Sequence, residues 1–346
     1  MRLLFLFLFF LQLPLFASES LVHYAFKQGL KQGSLLLSAQ KVEKVLLSPL
    51  TSQNLIRPLK LSQEIIHYAQ NVLGMKVGAS YRKYVELNRD WVTKVVFAAE
   101  KDRLEIKKFE FPIVGSFPYK GFFDEEDAQA LSQELVGKYD VYQRKAIAFS
   151  GIGWFDDPLT SNLLAKDSLL IETLFHELVH LNFYFDDQGD FNEAFATWFS
   201  YKVAKDFIEK SEFVDNKRKT LSEFEEEEKA DYELHSFIHE VSLRGHEFYE
   251  KKPLPKRDLY FDWIARCLKE YPNLKSLQRV KWNNAAILSL ATYLKLLPLI
   301  DKYAQEKNLS AKDFLSKVKK ERESLVSLVE EQGTIPTLLR CGEKLP

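Results

Sequence analysis

Cysteine and methionine are scarce, with two of each in 346 residues. Two cysteines are too few for a fold built on disulfides. They leave two readings of Cys267 and Cys341: one bridge that ties down the C-terminal tail in an oxidising compartment, or two unrelated thiols. A bridge needs Cα atoms roughly 4.4–6.8 Å apart, which a sequence does not reveal. An excess of one charge is also missing. Lys+Arg of 48 against Asp+Glu of 49 gives no electrostatic reason to expect nucleic acid or anionic lipid as a partner. There is no internal repeat and no low-complexity linker, so residues 19–346 read as one continuous unit. After the N-terminus no apolar run is long enough to span a membrane.

The N-terminus itself, MRLLFLFLFFLQLPLFAS, has one positive charge, an apolar run from Leu3 to Phe16, then small residues at Ala17 and Ser18. That is the layout of a cleavable secretory signal peptide over residues 1–18. The run is short of the about 20 residues of a membrane span, and an uncleaved anchor is the alternative. No cysteine follows it, which argues against a lipid-modified end. The expectation is an exported chain, periplasmic or secreted, with no stable membrane span after cleavage. The oligomeric state has no sequence signal.

What is abundant is aromatic: 27 Phe and 15 Tyr, enough for a packed core and apolar cleft walls. Helical periodicity dominates, and predicts helices over Leu21–Leu47, Ser62–Leu73, Tyr81–Val92 and Glu125–Gly137, then again from Ser168 onward. Between them KVVFAA (Lys94–Ala99), FEFPIVG (Phe109–Gly115) and KAIAFS (Lys145–Ser150) are short, β-branched and aromatic, and read as strands. GIGWFDDP (Gly151–Pro158) reads as a loop. Ser222 with Glu225 has the spacing of a capping box, and the run Glu225–Glu228 reads as a solvated helix face. Asn308-Leu309-Ser310 is a glycosylation sequon, but Ser310 reads better as a helix cap. The class is α+β, predominantly helical, with a small mixed sheet.

The chemistry is concentrated in FHELVHLNFYFDDQGDFNEAF, Phe175–Phe195. His176 and His180 are four apart, so on a helix they share one face, one turn apart. Two imidazoles so placed can bind one Zn²⁺. Glu177 follows the first histidine and flanks the metal, where it can take a proton from zinc-activated water. A zinc hydrolase also needs a third protein ligand. Glu193 is available if the first helix ends near Phe185 and a second starts at Asp190. Glu193 can instead be the partner of an N-cap at Asp190. His235 and His239 repeat the spacing, but with Glu240 outside the pair and on a charged helix; they read as a surface pair. His23, His67 and His246 have no partner pattern.

Five blocks carry a resemblance. They are SYRKYVELNRDWVTKVVFAAE (Ser80–Glu100), FPIVGSFPYKGFF (Phe111–Phe123), YDVYQRKAIAFSGIGWFDDP (Tyr139–Pro158), FHELVHLNFYFDDQGDFNEAFA (Phe175–Ala196) and WNNAAILSLATY (Trp282–Tyr293). Across nearly the whole exported chain they resemble a bacterial family of predicted zinc aminopeptidases with an H-E-x-x-H motif. The resemblance implies a zincin-like metallopeptidase of the gluzincin type, acting on peptides with Zn²⁺ as cofactor. It implies His176, His180 and Glu193 as ligands and Glu177 as the base. Better-known gluzincins often place Asp four residues after the third ligand, to orient a zinc histidine; here that residue is Thr197. The orienting group must come from elsewhere, with Asp186, Asp187 and Asp190 as candidates.

A donor must also stabilise the oxyanion. Tyr293 is the first candidate, followed by Asn283 and Asn284; the same residues can equally be a core aromatic and a helix cap. Lys145–Ser150 is the candidate edge for holding the peptide backbone. No residue identifies itself as the group that binds a free amine, so that property rests on the resemblance. Two other functions stay open: a zinc amide hydrolase acting on a cell-wall or non-protein substrate, and a catalytically inactive envelope binding protein on the same fold.

Overall fold

A computed structural model describes residues 19–111, 115–148, 156–186, 188–291, 296–321, 323–330 and 340–341. The signal segment 1–18, most of the Gly151–Pro158 loop, Asp187 and Tyr293 lie outside the described residues. The chain is mostly helical with small sheets, the α+β class its periodicities imply.

The N-terminal part holds α1 (Glu19–Ser38), β1 (Gln40–Lys41), α2 (Val42–Leu47) and α3 (Gln53–Asn71). The single helix expected over Leu21–Leu47 is therefore broken at Gln40–Lys41, where β1 pairs antiparallel with β2 (Lys83–Val85). The helix expected over Tyr81–Val92 is absent. Tyr81, Tyr84, Val85 and Val92 are buried, a spacing close to helical. But Tyr81 has φ of +61°, and Tyr84 and Val85 pair in parallel with β8 (Leu159–Thr160). Tertiary pairing overrides the local pattern.

A second sheet has the order β6–β3–β7, all antiparallel, from β3 (Thr93–Ala99), β6 (Tyr119–Phe122) and β7 (Asp140–Ala146). The expected strand at Lys94–Ala99 is β3. Phe109–Gly115 resolves into the hairpin strands β4 (Phe109–Phe111) and β5 (Gly115–Phe117). The expected Lys145–Ser150 strand is shifted: β7 starts at Asp140 and ends at Ala146. Between β6 and β7, α4 (Glu125–Leu135) covers the sheet.

The helices that carry the site follow: α5 (Asp167–His180), α6 (Gly189–Lys210) and the long α7 (Lys217–Glu250). The capping box expected at Ser222 and Glu225 falls inside α7; the cap is Asn216, whose side chain accepts from the Lys219 N–H. After α8 (Arg257–Cys267) and α9 (Asn284–Ala291) come α10 (Leu297–Glu306), α11 (Ala311–Glu321) and α12 (Glu323–Glu330). Ser310 does cap α11, its hydroxyl accepting from the Asp313 N–H at 3.1 Å.

The main core lies where α5 and α6 pack against each other and against α3, α10 and α11. α6 is buried on nearly all sides, including Phe191, Phe195, Trp198, Phe199 and Phe207. Such a helix forms the centre of a fold rather than its surface. A second core joins the C-terminal half of α7 to α8 and α9. No helix among the described residues is long and apolar enough to cross a membrane.

Candidate metal centre

α5 starts at Asp167, whose carboxylate suits a helix N-terminus. It accepts from Arg57 Nη1 at 2.8 Å and from the Asp215 N–H at 3.0 Å, which fixes that end of the helix. Leu170, Ile171, Leu174, Phe175, Leu178 and Val179 fill the core side. His176, Glu177 and His180 remain half-buried on the other side.

The helix stops at His180 rather than near Phe185. Asn182 Nδ2 donates to the Leu178 carbonyl at 2.8 Å and to the Lys76 carbonyl at 2.9 Å. The chain then turns back through a side-chain clamp. Fully buried Asn192 accepts from the Phe185 N–H at 3.1 Å and donates to the Phe185 carbonyl at 2.9 Å. This closure brings the next residue, Glu193, onto the histidine pair.

His176 Nε2 lies 3.2 Å from Glu193 Oε2 and 3.2 Å from His180 Nε2; His180 Nε2 is 3.7 Å from Glu193 Oε1. One donor atom from each residue lies within 4.8 Å of the others. A tetrahedral ion with bonds of about 2.05 Å sets its ligand atoms about 3.3 Å apart. Two nitrogens and one carboxylate oxygen are also the donor chemistry that suits Zn²⁺. These three residues could hold a metal ion.

The electrostatics point the same way. Burial alone would lower the His176 pKa, but the Glu193 hydrogen bond and the charges of Glu193, Glu177 and Glu172 raise it to about 9. Burial would raise Glu193, yet its hydrogen bonds to both histidines hold it below the usual carboxylate range. The cluster calls for positive charge at its centre, which a proton or a metal ion supplies. Glu177 Oε2 and His180 Nδ1 are buried and make no hydrogen bond.

With Nε2 of His176 turned toward the other two donors, its Nδ1 faces the Thr197 hydroxyl at 3.4 Å. Thr197 thus stands in the place where an Asp was missed, with a hydroxyl in place of a carboxylate. Among the described residues Asp186 makes no hydrogen bond to either histidine.

Behind His176 is an acidic group that the sequence reading missed. Glu172 is one turn earlier on α5, and Glu227 and Asp231 come from α7. Burial is the main cause that raises all three carboxyl groups, Asp231 to about 6 and Glu227 to about 7. Asp231 accepts from the Tyr201 hydroxyl at 2.7 Å and is held down by His176 and Arg144. Only Glu172 had a sequence signal, its spacing of four from His176.

The other candidates lie elsewhere. Asn283 donates to the Val141 carbonyl at 3.0 Å and caps α9 by accepting from the Ala286 N–H at 2.9 Å. Asn284 is fully buried and donates to the carbonyls of Glu100 and Arg103. Asn283 takes the capping alternative, whereas Asn284 ties the start of α9 to the loop after β3. His235 and His239 stack with centroids 6.4 Å apart and join no described donor cluster. Cys267 and Cys341 form a disulfide, which settles the choice left by the sequence.

The geometry defines a mostly helical α+β protein with an H-E-x-x-H helix and a third carboxylate returned to it by a buried turn. Over residues 23–332 the chain matches the model of the family described as "Putative aminopeptidase", and it belongs to that family. Membership points to peptide hydrolysis as the reaction class. Comparisons with curated proteins and with solved structures returned no match.

Proposed function

We propose that the chain is an exported zinc aminopeptidase with a zincin-like active site, in which His176, His180 and Glu193 hold Zn²⁺ and Glu177 is the general base. The observation that carries this reading is the convergence of three donor atoms at tetrahedral spacing, with Glu177 beside them. Bound there, Zn²⁺ would supply a Lewis acid that polarises the scissile carbonyl and makes a nearby water more acidic. Glu177 takes the proton from the attacking water and returns it to the leaving amine. Its unpartnered Oε2 is free to accept. Thr197 orients His176 through Nδ1. The negative side of the centre, formed by Glu172 and Asp231, suits the α-ammonium of a peptide with a free N-terminus. Tyr293 remains the proposed oxyanion donor and lies outside the described residues.

The outward edge of β7 can hold an extended backbone. Val141 O is taken by Asn283 and Ile147 O by Asn162. Between these two carbonyls the backbone groups of Gln143 and Lys145 have no described hydrogen bond outside the sheet, while their side chains bond Ser132 and Asp90. Export is supported by the disulfide, which persists in oxidising compartments.

The test is zinc stoichiometry of the purified protein beside Glu193→Ala and Glu177→Gln, followed by cleavage of free and N-acetylated peptides. One zinc per chain, kept in Glu177→Gln and weakened in Glu193→Ala, with hydrolysis of free peptides only, is the expected result. No zinc after supply at neutral pH would sink the hydrolase and favour a metal-free binding protein.

A further inference from the structure

Tyr184 is the exposed member of an aromatic triplet, Phe183-Tyr184-Phe185, in the turn that joins α5 to α6. Phe183 and Phe185 are 9% and 7% exposed, whereas Tyr184 is 42% exposed. The two phenylalanines pack on each other with ring centroids 5.2 Å apart, and each reaches into α6, Phe183 to Phe195 at 5.2 Å and Phe185 to Phe191 at 5.7 Å. Asn192 also holds both the N–H and the carbonyl of Phe185. The backbone on either side of Tyr184 is thus anchored in the core, and its ring is presented outward from a fixed mount.

A single exposed aromatic is ordinary on a protein surface. This one meets the metal centre. Its ring stands edge-on to the His180 imidazole, with centroids 6.1 Å apart and planes at 65°. His180 in turn meets His176 at 4.9 Å. A rigid, half-open aromatic wall therefore begins one ring away from the donor atoms. Apolar and aromatic walls beside a few polar groups are what ligand sites are made of, and a wall already in place spares the cost of ordering it on binding.

The sequence gives this wall a direction. Glu172, His176, His180 and Tyr184 follow at intervals of four. The first three lie one turn apart along α5, and the chain leaves the helix after His180 with Tyr184 still against that ring. The order is acid, donor, donor, aromatic. A peptide with its α-ammonium at the acid end and its first carbonyl at the centre places its second residue beyond His180, at Tyr184.

We propose that Tyr184 is a specificity-determining residue: it receives an aromatic or large apolar side chain on the second residue of the peptide, the one after the scissile bond. The proposal rests on the reading of the site as an aminopeptidase centre with the ammonium on its acidic side.

The experiment uses the zinc-loaded full chain and two sets of free tripeptides. One varies the second residue (Ala-Phe-Ala, Ala-Leu-Ala, Ala-Ala-Ala) and the other the first (Phe-Ala-Ala, Leu-Ala-Ala). The parent is expected to favour Phe over Ala at the second position about 3- to 10-fold in kcat/KM, the scale of one aromatic contact. Tyr184→Ala should bring that ratio within about twofold, and Tyr184→Phe, which keeps the ring, should retain it. The ratio at the first position should be the same in all three proteins. Calorimetric binding of Ala-Phe-Ala and Ala-Ala-Ala to the Glu177→Gln chain should show the same second-position ratio in Kd, lost when Tyr184→Ala is added. A parent without the preference, a preference that survives Tyr184→Ala, a change at the first position instead, or loss of zinc in Tyr184→Ala would each overturn the proposal. Failure of the underlying reading looks different: the parent would cleave neither set of peptides, and the proposal would fall with it.

Discussion

Thr197 Oγ lies 3.4 Å from Nδ1 of His176, one helical turn beyond Glu193 on α6. The same helix thus supplies a donor to the centre and the group that orients another. A hydroxyl can accept from Nδ1–H and so fix the tautomer that leaves Nε2 for a metal. It lacks the charge of a carboxylate, which would make the ring a stronger ligand. Thr197→Val is expected to weaken zinc affinity about 10-fold, the low end for loss of such a partner. Thr197→Asp should equal or exceed the parent. Chelator competition on the two variants measures both.

The acidic group behind His176 makes stability depend on pH. Asp231 has its pKa raised by burial to about 6, against about 3.9 in an unfolded chain. Between these values the folded state holds a proton that the unfolded state has released. The contribution is therefore present below about pH 4 and is lost as pH rises through about 6. A shift of this size corresponds to at most about 3 kcal/mol, and to less because solvent reaches the half-buried group. In metal-depleted protein, Asp231→Asn should raise Tm at pH 8 and leave it nearly unchanged at pH 4.5. If Asp231 also faces the substrate ammonium, the same variant should raise KM for free peptides. Equal Tm shifts at both pH values would rule out the buried charge as the cause.

The centre was legible because its parts are local. Helix geometry fixes His176 and His180 on one face, and the short turn clamped by Asn192 limits where Glu193 can go. Residues supplied by distant segments were not legible. Asp231 and Glu227 join Glu172 behind His176 only because α7 docks on α5. Nothing near either residue in the sequence announces that docking. The missed helix at Tyr81–Val92 has the same origin. Its burial spacing is close to helical, and only pairing with β1 and β8 makes Lys83–Val85 a strand. For Asn283 the sequence left a cap and an oxyanion donor open, because both carry the same signal; its bonds to Val141 and Ala286 are those of the cap.

Gly245 allows the loop after β3 to seat on α7. A Cβ there would overlap Leu104 Cδ1 and the Tyr260 hydroxyl. Tyr260 cannot retreat easily, being fully buried with its hydroxyl donating to the Val241 carbonyl at 2.7 Å. Alanine normally favours a helix over glycine by about 1 kcal/mol. Here overpacking should win, and Gly245→Ala is expected to lower stability by about 1–3 kcal/mol. Chemical denaturation measures it; a more stable variant would mean that Leu104 moves aside freely.

The C-terminal tail is fastened by two different bonds at one place. Cys341 is joined to Cys267, with Cα atoms 5.1 Å apart and a separation of 74 residues in sequence. Next to it the fully buried Glu240 accepts from the N–H groups of Arg340 and Cys341 at 3.0 and 3.1 Å, and from the Tyr271 hydroxyl at 3.0 Å. Closing a loop of this size restricts the unfolded chain by about 4 kcal/mol on the entropy model. Cys341→Ser should therefore lower stability by about 2–4 kcal/mol, and a reductant should lower the Tm of the parent but not of the variant. Glu240→Ala acts on the same tail by another route, since it strands three donors, two of them on the buried Cys341 and Tyr271. Its effect should shrink once the disulfide is gone, because the tail it anchors is then already free to leave. Additive losses from Cys341→Ser and Glu240→Ala would mean instead that Glu240 chiefly braces Tyr271 within the second core, and that the tail is held by the disulfide alone.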